Sequence, residues 1–335
     1  MRSALPKQRR VVATSVDQLR RVTSLRGVER SAALCAVWRW KESAEASPLV
    51  LDPFAGELAQ EALGTEAVSK LANATFASSL QYLLALRTRL LDDLLIASQR
   101  HQPVEQVVQL AVGCDTRALR LGSTSSCRFF EVDTQRMVDF RKRWVQQQRI
   151  VQVGFDLKEP ELLVPALVDV GFDPRRRTAW LCEGLLEYHE PSFTSALLKA
   201  LDAAGPQLLI LAVLDPYWLE FLAKEHEQRP VRMAWKPSRL PPLEWHRARL
   251  AECGWEIQQQ LSELRNLCDA RAEVGEVKSL FHVLVAEKGE DGFLLTSTCC
   301  QRLDLPSLQQ SWLRGLWPLL VDKNRLPKGP RPPLP

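Results

Sequence analysis

No stretch of these 335 residues is apolar for long enough to cross a bilayer. The longest purely apolar run, Leu208-Leu-Ile-Leu-Ala-Val-Leu214, falls far short of the roughly 20 residues a transmembrane helix needs, and it reads as a buried strand. Segregated charge is also missing. The 44 basic and 40 acidic residues interleave to a formal charge of +4, a balance that argues against a nucleic-acid partner. The local clusters Lys7-Gln-Arg-Arg10 and Pro174-Arg-Arg-Arg177 have no interleaved aromatics to stack on bases, so they read as solvated charge. The eight cysteines show no C-x-x-C pair and no histidines at zinc-ligand intervals, so no metal site is expected and reduced, buried thiols are. The vicinal pair Cys299-Cys300 is the one place suited to redox chemistry. A repeat with a period of twenty to fifty residues is likewise absent. The segment Met1 to Val16 is basic but lacks the apolar core of a secretory signal. A cytoplasmic protein is the expectation, with an organelle transit peptide as the alternative.

What remains is the profile of a globular enzyme, 46% hydrophobic and 25% charged, able to bury one large core. Five parts are expected along the chain: a basic tail (1–15), a helical cap (16–100), a nucleotide-fold core (101–288) with an insertion at 217–249, and an extension (289–335) ending in a Pro-rich tail. Leu19, Val22, Leu25, Val28, Ala32, Cys35 and Ala36 recur at helical spacing, and Leu80 to Leu95 carry broad apolar stripes. After His101 the pattern alternates between strand and helix, the signature of a parallel sheet with crossover helices. Strands are expected at Gln106 to Leu110, Cys127 to Val132, Ile150 to Phe155, Thr178 to Cys182 and Gln207 to Leu214, followed by an antiparallel pair at Trp255 to Leu264 and Ser279 to Glu287. Helices are expected at Thr116 to Leu121, Thr134 to Gln148, Glu159 to Val170 and Pro191 to Ala204.

In an open α/β sheet the ligand lies beyond the carboxyl ends of the strands, where strand order reverses. Here those ends deliver Gly113 and Asp115, then Asp133, Asp156 and Glu183, one acid for each of four consecutive strands. Helix capping accounts for Asp115 and in part for Asp156, but poorly for Asp133 and Glu183. Gly113 and Asp133 have the spacing of a backbone approach to a nucleotide cofactor followed by a ribose-binding acid. The turn lacks the other glycines of the dinucleotide fingerprint and puts Cys114, Asp115, Thr116 and Arg117 where a pyrophosphate needs bare amides, which disfavours NAD and FAD. S-adenosylmethionine has no phosphate and carries an ammonium and a sulfonium, so surrounding acids favour it.

The runs Gln106-Val-Val-Gln-Leu-Ala-Val-Gly-Cys-Asp-Thr-Arg-Ala-Leu-Arg-Leu121, Phe129-Phe-Glu-Val-Asp133, Gly171-Phe-Asp-Pro174 and Ala179-Trp-Leu-Cys-Glu-Gly-Leu-Leu-Glu-Tyr188 occur in that order. Ahead of them stand Asp52-Pro-Phe-Ala55 and Leu86-Arg-Thr-Arg-Leu-Leu-Asp-Asp93. Together, over about Gly27 to Lys288, they resemble the leucine carboxyl methyltransferase family, and most closely its broad branch of uncharacterised and small-molecule O-methyltransferases. The resemblance implies a Rossmann-like class I methyltransferase sheet (α/β) with an N-terminal helical extension, and S-adenosyl-L-methionine as cofactor. It implies that Arg87 pairs with the cofactor carboxylate, that Gly113 packs against its methionine portion and that Asp133 binds the ribose. Asp156 and Leu157 would flank the adenine, and Glu183 would lie near the amino-acid portion. Arg39 corresponds to a basic residue near the cofactor, with Lys41 competing for the role. Two departures stand out. Ala111 replaces the first glycine of the usual Gly-x-Gly turn, harmless with ordinary dihedrals and damaging if a positive φ is required. Glu187-Tyr188-His189 stands where the family commonly has an apolar residue before Tyr and Leu after it.

Methyl transfer from a sulfonium is an in-line displacement, so the protein chiefly aligns the acceptor and excludes water. A carboxylate acceptor needs no general base; a hydroxyl does, and Glu187, Tyr188 and His189 are the nearest candidates. The expected function is O-methylation of a carboxyl or hydroxyl group, on a small molecule ahead of a protein C-terminal leucine. The helical cap and the segment from Tyr217 to Arg249 would wall the acceptor pocket. A catalytically silent scaffold relative is the rival, motivated by Ala111 and the Pro-rich tail.

Overall fold

A computed structural model of the chain describes residue 25 and residues 27–73, 77–99, 103–122, 127–205, 207–216, 240–262 and 281–288. The basic tail, most of the 217–249 segment, the 289–335 extension and the Cys299-Cys300 pair lie outside the described residues.

Among the described residues four helices precede the sheet: α1 (Val28–Ser43), α2 (Ala55–Leu63), α3 (Thr65–Ala72) and α4 (Ala77–Ser98). The helical pattern expected of the 16–100 cap is broken at Gly64, where φ of +86° ends one helix and admits the next. Asp52 starts α2, its Oδ1 accepting from the amides of Phe54 and Ala55, the N-terminal capping that short acids provide. The sheet follows with β1 (Gln106–Leu110), α5 (Arg117–Leu121), β2 (Arg128–Asp133), α6 (Gln135–Arg141), β3 (Ile150–Gly154), α7 (Leu163–Asp169), β4 (Thr178–Glu183), α8 (Pro191–Ala200), β5 (Gln207–Leu214), α9 (Leu243–Glu252), β6 (Glu256–Ser262) and β7 (Phe281–Lys288). The helix after β2 is half the length its periodicity suggested. Its cap is Thr134, whose side chain accepts from the Met137 amide, and it stops at Arg141, which turns inward. The end of the 217–249 segment is regular structure, the first turns of α9, docked beside β6.

The strands form one sheet in the order β3-β2-β1-β4-β5-β7-β6. β1 to β5 are parallel, and β7 runs antiparallel between β5 and β6. That is the Rossmann-like sheet of class I methyltransferases, with helices on both faces. Strands covered on both faces read as continuous apolar runs, because both sets of alternating side chains are buried. Val107, Phe129, Leu181 and Ile210 pack under the leucines of α4, whereas Val108, Phe130, Trp180 and Leu209 face α7, α8 and α9. Strand order reverses between β1 and β4, which puts the expected ligand crevice over the carboxyl ends of those two strands. Among the described residues no helix is long and apolar enough to cross a membrane.

Candidate functional site

A cleft of about 680 Å³ opens at that reversal, lined by residues of α1, α4 and the ends of β1 to β5. It contains every residue singled out for the cofactor: Arg39, Arg87, Ala111, Gly113, Asp133, Asp156, Leu157 and Glu183, together with Tyr188 and His189. Residues as far apart in the chain as Arg39 and His189 thus meet in one concavity, where the parallel strands all end on the same edge.

The turn after β1 is held from three sides. The amide of Gly113 donates to Asp133 Oδ2 at 2.7 Å, and the Thr134 amide donates to Asp133 Oδ1 at 2.7 Å. Burial pushes the Asp133 carboxyl up, an effect opposed by those two amides and by Arg141. Arg141 itself is buried, donating to the Gly113 carbonyl at 3.0 Å and to Glu131 at 2.6 Å. From above, α1 presses on the turn: a Cβ on Gly113, whose φ is +54°, would lie 2.6 Å from Ala32 Cβ. That position therefore demands glycine twice, for its dihedral and for its contact. Ala111 has φ of +53°, and among the described residues it is the one non-glycine in the left-handed region. Of the two cases open for Ala111, the strained one holds, at roughly 1–2 kcal/mol.

The arginines are engaged by the protein itself. Arg39 donates through Nε to Asp52 at 2.9 Å and through Nη2 to the Cys114 carbonyl at 2.5 Å, clamping α1 to the turn, while Thr116 donates to the same Asp52 oxygen. Arg87 donates through Nε to Glu183 at 2.7 Å. The acid after β4 thereby meets the α4 arginine directly, an arrangement that sequence spacing does not reveal. Arg117, fully buried, is the hub. It donates to Asp92 at 2.6 Å, to Glu183 at 3.1 Å and to Asp115. Burial pushes the Asp115 carboxyl up, but Arg117, Arg39 and Arg120 outweigh it and hold the group well below the usual carboxylate range. Asp115 Oδ1 also accepts from the Arg117 amide, as its capping role required.

Asp156 and Leu157 part company: Asp156 is exposed at the rim, whereas Leu157 is buried in the core beneath it. Tyr188 shares a 2.8 Å hydrogen bond with Ser31 of α1. His189 stacks on Phe193 with ring centroids 3.8 Å apart, and its pKa is lowered by burial, with Asp156 opposing and Lys158 reinforcing. The three candidate bases therefore diverge. Tyr188 points to α1 and His189 to the Asp156 rim, while Glu187 is buried against the end of β5. Asp92, Arg117 and Arg141 escaped sequence reasoning. One signal was present for Asp92, an acid set inside the stripe Leu90, Leu91, Leu94, Leu95 that the core buries.

Residues 32–202, just over half of the chain, match the family model for leucine carboxyl methyltransferase. Three curated relatives are provisionally named as S-adenosyl-L-methionine-dependent methyltransferases. One from Mycolicibacterium gilvum is 39% identical over 37% of this chain and 44% of its own length. One from Mycobacterium ulcerans is 32% identical over 56% and 64%, and one from Mycobacterium marinum is 33% identical over 62% and 73%. The chain thus spans less than half of the first of these relatives and under two thirds of the second. A provisionally named methyltransferase structure from Thermobifida fusca aligns with 67% of this chain and 89% of its own at a TM-score of 0.46 and 17% identity, a likeness too distant to support an assignment.

Proposed function

Because the chain belongs to the leucine carboxyl methyltransferase family, we propose that it is an S-adenosyl-L-methionine-dependent O-methyltransferase (EC 2.1.1.-) acting on a carboxyl or hydroxyl group of a small molecule. The observation that carries this reading is the charge of the cleft. Its lining has six carboxyl groups, including Asp115, Asp133, Asp156 and Glu183, against the three cations Arg39, Arg87 and Lys158. Such a wall suits a ligand with an ammonium and a sulfonium and repels one with a pyrophosphate. The volume is that of a small-molecule site and leaves an acceptor little room beyond a modest ring or chain.

The residues present fit the cofactor. Gly113 offers bare backbone at the floor, Asp133 faces the cleft with its carboxyl already oriented by two amides, and Leu157 supplies an apolar surface for a base. Arg87 and Glu183 form an ion pair able to meet the carboxylate and the ammonium of an amino acid. Bound there, the cofactor supplies an electrophilic methyl group. The protein's share is to hold the acceptor in line and keep water out, with α1 and α4 forming the roof.

Calorimetry with S-adenosylhomocysteine tests this. The chain is expected to bind it, and Asp133→Ala to weaken binding at least tenfold, with circular dichroism showing that the variant is folded. Absence of binding by the wild-type chain overturns the enzyme reading in favour of a silent scaffold.

A further inference from the structure

The 3₁₀ turn after β4, Leu186–Tyr188, ends on His189, and Phe193 follows in the first turn of α8. The two rings lie face to face, with centroids 3.8 Å apart and planes 17° from parallel. Phe193 is 9% exposed, belongs to the core on the α7 to α9 face of the sheet and takes no part in the cleft lining. His189 is half-buried and does line the cleft. The imidazole therefore stands between Phe193 and the cleft. One of its faces is taken by the phenyl ring, so the surface it turns to the cleft belongs to its opposite face and its edge.

Its neighbours fix which part of the cleft this is. Asp156 and Lys158, in the turn after β3, are close enough to act on the charge of the ring, Asp156 favouring the protonated form and Lys158 opposing it. Burial outweighs Asp156, so the ring is held toward its neutral aromatic form. The same turn gives Phe155 and Leu157 to the lining, while both charged neighbours are largely exposed at the rim. This end of the cleft thus offers aromatic and apolar faces inside and polar groups outside. Such a slot suits a flat ring with apolar faces and a hydrogen-bonding edge, the description of a nucleobase. Tyr188, one residue earlier, is turned away to Ser31 of α1.

We propose that His189 is the stacking platform for the adenine of the cofactor: the base lies on the open face of the imidazole and completes a three-layer stack of base, His189 and Phe193. This rests on the methyltransferase reading above and assigns His189 to binding rather than to proton transfer. The chemistry of the cofactor agrees with that division. Its reacting methyl group is carried on sulfur at the 5′ side of the ribose, whereas the base hangs from the 1′ side, so a ring packed on the base is on the wrong side to serve as a base for the acceptor. Phe193 fixes the plane of the imidazole in advance, so little side-chain freedom is lost when the ligand arrives. A stacking platform reads the π-face of the ligand and not its edge, so another aromatic ring can replace the imidazole, whereas a methyl group cannot.

The test uses S-adenosylhomocysteine and 5′-methylthioadenosine, which has the same base and ribose without the amino acid, titrated calorimetrically into the full chain. His189→Ala is expected to weaken both by about tenfold, and by the same factor, because both carry the same base. His189→Phe keeps a ring on Phe193 and is expected to stay within about threefold of the wild-type chain for both ligands. A second measurement needs no variant. With ¹³C-labelled histidine in the wild-type chain, the ring-proton signals of His189, assigned by sequential connectivity, are expected to move upfield on saturation with 5′-methylthioadenosine, as protons lying over an aromatic ring do. A role in packing alone would leave those signals in place. Signals that stay in place, affinities in His189→Ala within about threefold of wild type, a loss confined to S-adenosylhomocysteine, or failure of His189→Phe to restore binding overturns the proposal. Failure of the wild-type chain to bind S-adenosylhomocysteine sinks the cofactor reading and this assignment with it, whereas binding with unmoved His189 signals sinks the assignment alone.

Discussion

Over β1 to β3 the walls of the cleft are ionic and each buried arginine has a carboxylate partner, Arg117 with Asp92, Asp115 and Glu183, Arg39 with Asp52, and Arg141 with Glu131, although Arg141 Nε and Gln109 Oε1 are buried without a hydrogen-bond partner. Over β4 and β5 the walls are leucine, and one buried carboxyl oxygen is answered by nothing in the chain. The first half is organised before any ligand arrives, so a cofactor entering it meets donors and acceptors already in place and pays little to order them. In the second half a buried polar atom, Glu187 Oε2, is kept at a cost to stability.

The sharpest way to break this contrast is to empty the ionic hub. Arg117→Ala takes from Asp92, Asp115 and Glu183 a buried cation that all three share, leaving Asp92 to Arg120 and Glu183 to Arg87, and is expected to cost roughly 3 kcal/mol, read from urea midpoints. A loss below about 1 kcal/mol would show that the web is not what holds the turn. On the other side the effect is smaller. Glu187→Met removes a buried unpaired oxygen but also the acceptor of the Leu214 amide, so the net change is expected to stay within about 1 kcal/mol at pH 8. The folded-state pKa of Glu187 lies above its unfolded value, so the native state holds the extra proton between the two. Wild-type stability therefore falls as pH rises through the folded pKa, and the net change on Glu187→Met should be more favourable at pH 8 than at pH 4.5. Destabilisation beyond about 1 kcal/mol at both pH values would mean that the carboxyl is supported after all. Smallest is Ala111→Gly. It relieves a left-handed dihedral worth roughly 1–2 kcal/mol but adds about 0.5–1 kcal/mol of backbone freedom to the unfolded chain. A net gain of about 0.5 kcal/mol, visible as a small rise in Tm, is expected, and a fall in Tm would show that the turn does not need φ of +53°.

Much of the ionic half was legible in the chain because parallel strands write their polar ends at regular intervals. Gly113, Asp133 and Glu183 follow apolar runs whose length alone marks them as buried strands, and each was found at its strand end. The family resemblance added Arg87, which no local pattern separates from the other charges on its helix. What escaped was pairing. Arg87 was assigned to a ligand and meets Glu183; Arg39 was placed near the cofactor and is spent on Asp52 and a carbonyl. Arg117, two residues past Asp115, has no role legible in the sequence, because nothing there says that its side chain is fully buried. The apolar half was less legible still: Glu187 was one of three neighbouring candidates, and the 3₁₀ turn sends those three side chains in different directions.

The order of apolar runs and turns determined by itself the α/β class, the sheet with its antiparallel last strand, and the edge at which chemistry gathers, because strand polarity and burial are local properties of a chain. Which charges neutralise one another, whether Ala111 bears strain, and which of Glu187, Tyr188 and His189 is left with an unanswered oxygen were decided only by the tertiary structure. Those are properties of distances between residues far apart in the chain, and in a low-dielectric interior a few ångströms separate a satisfied ion pair from a buried group left without a partner.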